Sequence, residues 1–129
     1  MTAKKLSPTT TYPAVVGSVI VKLRNQIELR QVKLAAAIGV TQATWSRIEN
    51  GSSALTIEQL GVAAGELGIT ASEILIYADK ATIALEAQGI QVVKNRINNG
   101  LDIGMVLISS ATLSSIITTV ILEVTGVEN

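Results

Sequence analysis

The sequence predicts an all-α protein. Five short helices should form one unit over residues 12–78, followed by a hydrophobic helical extension over 79–129 and preceded by a flexible arm over 1–11. Three observations carry this. Thr residues at helix starts, apolar pairs that clamp those starts and Gly residues at helix ends recur in step between Tyr12 and Tyr77. The link Gly39-Val40-Thr41 is too short for its flanking helices to run antiparallel. Ile103–Leu122 is a run of twenty residues without a charge.

The elements can be justified in order. The lead-in MTAKKLSPTTTYP has neither the apolar core nor the cleavage pattern of a secretion signal, so it reads as a Thr-rich arm. Pro13 suits a first helical position, where a missing N–H costs nothing. Val16, Val19, Ile20, Leu23 and Ile27 then form one apolar stripe, on a helix expected to end near Glu28. Two shorter helices follow at about Gln31–Ile38 and Gln42–Glu49. Thr41, Thr56 and Thr70 each stand where a hydroxyl can accept from an unpaired first-turn N–H. Gln59 and Glu73, three places after Thr56 and Thr70, predict two capping boxes. Val40 with Trp45, Leu55 with Leu60 and Ile69 with Ile74 predict hydrophobic staples, and Gly39, Gly51 and Gly68 predict stops. Beyond Tyr77 the pattern weakens. A sixth helix is expected over Asp79–Asn98, with Gly89 a weak point inside it and Asn98-Asn99-Gly100 a break after it.

Composition narrows the function. Of 129 residues, 48% are hydrophobic but only 2% aromatic, so the core must be Ala, Val, Ile and Leu. The absence of Cys fits a reducing, cytoplasmic compartment. With no His either, the common bases, nucleophiles and soft-metal ligands are missing, and neither enzyme activity, metal nor cofactor is expected. Formal charge is zero. Through Ala78, seven Lys/Arg stand against five Glu, a mild excess of +2 balanced by −2 over the remainder. Such an excess supports modest affinity for a polyanion when gathered on one face.

Leu29–Gly51, LRQVKLAAAIGVTQATWSRIENG, followed by LTIEQLGVAAGELGITASEIL, resembles the phage-repressor or Cro-like helix-turn-helix family, also called XRE. The similarity spans about Val16–Ile76. It lies in the Gln31…Leu34-Ala35 start, the Gly39-Val40-Thr41 turn, the Ser46–Gly51 run and the Leu67-Gly68-Ile69 turn. The resemblance implies a five-helix lambda-repressor-like domain whose second motif helix, 42–49, reads the DNA major groove. Leu34, Ile38, Val40, Trp45 and Ile48 then face inward. Gln42, Ala43, Thr44 and Arg47 face outward: Gln42 suits adenine, Arg47 guanine or a phosphate, and the two methyl-bearing side chains thymine. Thr41 opens this helix, and Ser46 is less well aimed than these four, with a phosphate as its expected contact. Gln31 would approach a phosphate from the positive end of the other motif helix, next to Arg30 in place of the family's short cap. Asn50 and Ser52 resemble a second phosphate clamp, although Ser52 and Ser53 stand where the family usually has Lys or Arg. The resemblance also implies a partly buried ion pair between Arg24 and Glu49.

The uncharged run leaves two readings open. Twenty residues at about 1.5 Å each would cross a ~30 Å bilayer core, with Lys94 and Arg96 before and Glu123 and Glu128 after. Alternatively, Ile103, Val106, Ser110, Leu113, Ile117, Val120, Val124 and Val127 alternate three- and four-residue steps, as in an assembly helix. Seven Ser/Thr make a poor lipid-facing surface, so burial in an oligomer through Val106, Leu113, Ile117 and Val120 is preferred. The β-branched content also leaves strands open.

The expected function is sequence-specific binding of double-stranded DNA by a homodimer or higher oligomer, reading a palindromic operator and acting as a repressor. A membrane-tethered module that docks a protein, and an antitoxin that represses its own operon, are the alternatives. No small-molecule ligand is implied.

Overall fold

Thr11, Thr41, Thr56, Thr70 and Ser109 each accept from a backbone N–H three residues on, and a helix follows each of them. These caps organise a computed structural model that describes residues 7–96 and 105–126. The order is β1 (Ser7–Thr11), α1 (Tyr12–Gln26), α2 (Gln31–Ile38), α3 (Gln42–Glu49), α4 (Ile57–Leu67), α5 (Ala71–Ala87), β2 (Gln91–Val93), β3 (Met105–Leu107) and α6 (Ser110–Thr125). The fold is mostly helical, as expected, with one small sheet added. Residues 1–6, the Asn98-Asn99-Gly100 break, Ile103 and Val127 lie outside the described residues.

The local signals act where the sequence placed them. Thr56 and Gln59 form a complete capping box, whereas Glu73 accepts from the Thr70 hydroxyl at 3.2 Å. Gly39 ends α2 at φ 88°, a left-handed geometry that glycine adopts without a Cβ penalty. α1 stops at Gln26, short of Glu28, because Glu28 itself turns left-handed at φ 56°.

Three expectations need correction. Ser7–Thr11, expected to be part of a flexible arm, are the central strand of a parallel sheet ordered β2-β1-β3. Thr9 pairs with both Gln91 and Leu107, and the β-branched Thr9, Thr10 and Thr11 are buried between these neighbours. The separate helix expected over Asp79–Asn98 does not form. α5 runs unbroken through Ala78-Asp79 to Ala87, because Ala78, Ala81 and Leu85 continue the buried stripe begun by Ile74. Gly89, at φ 78°, then turns the chain into β2.

The third correction concerns the uncharged run, whose described residues, from Met105 on, form a strand followed by a helix. α6 packs on α1 and α5, and Leu113, Ile117 and Val120, expected between copies, join the chain's own core beside Ile116 and Ile121. The partner surface that this apolar stretch required is intramolecular. Val106 sits instead on the edge strand β3, 44% exposed. Among the described residues no single helix is long and apolar enough to cross a membrane.

Candidate nucleic-acid interface

The site is built outward from Trp45. Its indole is fully buried beneath α3, and its Nε1 donates to Glu49 Oε2 at 2.8 Å. Glu49 is also buried, a position open to a carboxylate only when its charge and lone pairs are met. Arg24 meets them as a fork: Nε donates to Oε2 at 2.9 Å and Nη2 to Oε1 at 3.0 Å. Gln31 Nε2 adds a fourth donor to Oε1 at 2.6 Å. One carboxylate thus ties together α1, α2 and the last turn of α3.

This hub fixes what α3 presents. The helix exposes Gln42, Ala43 and Arg47, leaves Thr44 and Ser46 half-buried, and buries Trp45, Ile48 and Glu49. Gln42 Nε2 donates to Gln31 Oε1 at 3.4 Å, so this exposed amide is bonded to a residue that is itself anchored on Glu49. Arg47 Nη2 donates to Thr44 Oγ1 at 3.2 Å, and the Thr41 hydroxyl both caps the Thr44 N–H and donates to its side chain. The outer face is therefore pre-arranged before any partner arrives.

The flanks are ordered too. The Asn50 amide oxygen accepts from the Ser52 N–H at 2.9 Å and from the Ser52 hydroxyl at 2.6 Å, which shapes the loop after α3. Gly51 lets that loop lie on the start of α1, since a Cβ there would fall 2.7 Å from the Ala14 backbone. Arg30 occupies the cap position of α2 without a side-chain cap bond. A concavity of about 480 Å³ runs beside α3, between Gln31, Ser46, Asn50 and Ser52 on one side and Leu107, Ser110 and Ser114 on the other.

The interface residues singled out from sequence are gathered on α3, the start of α2 and the loop after α3, with Leu113 lining the same concavity, whereas Ile117 and Val120 lie in the core and Val106 on β3. Two features were not anticipated: Gln31 as the link between Glu49 and Gln42, and Trp45 as a donor to Glu49. The four-residue spacing of Trp45 and Glu49, one helical turn, was the available signal for the second.

Comparison with known proteins supports the geometry. Residues 20–74 match the helix-turn-helix family model. The fold is similar to that of the clp gene regulator ClgR from Corynebacterium glutamicum in two crystal structures. In one the identity is 23% and the TM-score 0.59, over 63% of this chain and 86% of that one. In the other the values are 24% and 0.50, over 53% and 88%. At such identities the likeness is one of fold. No curated protein matches the chain. Over residues 20–74 the chain therefore carries a helix-turn-helix domain of the XRE type, which supports a DNA-binding transcriptional regulator.

Proposed function

We propose that the protein is a sequence-specific transcriptional regulator that binds double-stranded DNA as a homodimer and represses by occluding polymerase. α3 enters the major groove, where Gln42 pairs with adenine, Arg47 with guanine, and Ala43 and Thr44 touch thymine methyl groups. Two copies would place their recognition helices in successive grooves about 34 Å apart and so read an inverted repeat. Gln31, Asn50, Ser46 and Ser52 flank the helix as backbone contacts that set its register.

The observation that carries this reading is the Glu49-Gln31-Gln42 chain of hydrogen bonds, which holds a base-reading amide outward from a buried anchor. A solvated helix face with no ligand has no need of such pre-arrangement. Selection of random duplexes by the purified protein tests the proposal. The expected result is enrichment of a palindromic site that Arg47→Ala no longer prefers. No enrichment at low salt would leave the domain as a protein-docking module.

A further inference from the structure

The loop that follows the recognition helix, Asn50-Gly51-Ser52-Ser53, contains no cation. Yet a cation stands beside it. Arg96, which lies 44 positions further along the chain, donates from Nη1 to the Ser52 carbonyl oxygen at 3.4 Å. The sheet explains how it gets there. Val93, the last residue of β2, pairs with Thr11, and Thr11 caps α1 by accepting from the Ala14 N–H at 3.1 Å. The Ala14 backbone in turn lies against Gly51. The end of β2, the start of α1 and the loop after α3 thus meet at one place, and Lys94 and Arg96 are the next charged residues in the chain.

We infer that Lys94 and Arg96 form a phosphate clamp for the recognition helix, lent to the DNA-reading face by the C-terminal extension. This rests on the DNA-binding reading given above. A guanidinium carries five N–H donors, and among the described residues Arg96 commits one of them, to the exposed Ser52 carbonyl. The remaining fork suits a phosphate oxygen pair. Exposed Lys94 adds a second charge just past the same strand end. Among the described residues, the carboxylate beside this loop, Glu49, is buried and held by Arg24. The extension's own described acids are Asp79, which accepts from the Tyr12 hydroxyl at 2.6 Å, Glu86 before β2 and Glu123 in the last turn of α6, about 20 Å of helix rise from Ser110. A chain of zero formal charge can in this way gather cations where the backbone of a duplex would pass.

The test measures binding of the full chain to a selected duplex and to a scrambled duplex of equal length, across a salt series. Arg96→Gln and Lys94→Gln should each weaken both duplexes severalfold and by the same factor, lowering the slope of log K against log salt by about one. Arg96→Lys should keep the parental slope. Lys94→Gln carries the test independently should Arg96→Gln disturb the loop, which circular dichroism would reveal. Parental slopes in Arg96→Gln and Lys94→Gln, with Arg47→Ala still losing the selected duplex, would overturn the clamp and leave the regulator standing. A parent protein that binds neither duplex at any salt would overturn both.

Discussion

Trp45 and Glu49, one turn apart on α3, share a buried hydrogen bond of 2.8 Å from the indole Nε1 to Oε2. The contact joins the helix's largest anchor to the carboxylate that also receives Arg24 and Gln31. The inner side of α3 is consequently a satisfied polar network set within an apolar core, and Gln31 links it to the exposed Gln42.

Removing the hub should cost far more than a surface pair would. Glu49→Ala leaves the Arg24 guanidinium and the Trp45 N–H short of their partner. Arg24→Ala leaves a buried carboxylate with neutral donors alone. Each should lower stability by about 3–5 kcal/mol, read by thermal or urea unfolding. A melting temperature equal to the parent's in both variants would contradict the hub.

Gly17 lies where α1 crosses the end of α3. A Cβ there would stand 2.1 Å from the Glu49 carbonyl oxygen, which is backbone and cannot swing aside. Gly17→Ala should therefore destabilise by about 3 kcal/mol or more, despite alanine's better helix propensity. Neutral behaviour in urea melts would mean that the two helices sit further apart.

α6 offers a direct contrast between core and surface. Ile117→Ala should cost about 2–5 kcal/mol, since the side chain is fully buried. Val106→Ser on the exposed edge should stay within about 0.5 kcal/mol. Both effects should be independent of protein concentration. If the Ile117→Ala loss faded as concentration rose, this face would belong to a contact between copies.

Tyr12 links the start of α1 to α5 by donating to Asp79 Oδ1 at 2.6 Å. Burial, and then the hydrogen bond and negative charge of Asp79, push the phenol above its ordinary value of 10.0. A phenol whose folded-state value is raised contributes its stability fully below pH 10 and loses it as pH climbs beyond. Tyr12→Phe should cost about 1 kcal/mol at neutral pH. Its stability should then fall less steeply than the parent's above pH 10; parallel pH curves for the two proteins would contradict the coupling.

Much of this was legible locally because helix ends are written in adjacent residues. Thr41, Thr56 and Thr70 act within three positions of themselves, and Trp45 announces its burial through Val40 five places earlier. What escaped is non-local. The pairing of Thr9 with Gln91 and Leu107 leaves no periodic trace, because parallel strands meet only through long connections. The apolar run of α6 stated a need for cover without naming it. Its cover is α1 and α5, elements whose stripes already looked complete. The link of Gln31 to Glu49 and Gln42 likewise depends on the crossing of two helices rather than on spacing.

The sheet also orders the chain's assembly in time. Its middle strand leaves the ribosome first, while its two neighbours wait for Gln91 and Met105. The helix-turn-helix can assemble on nascent chain, but Thr9–Thr11 have no ladder to join until β2 is made, and none on the other side until Leu107 has emerged. Closing the sheet is then a late step of synthesis, and a chain halted before β3 would carry its helix-turn-helix half beside an unfilled strand edge.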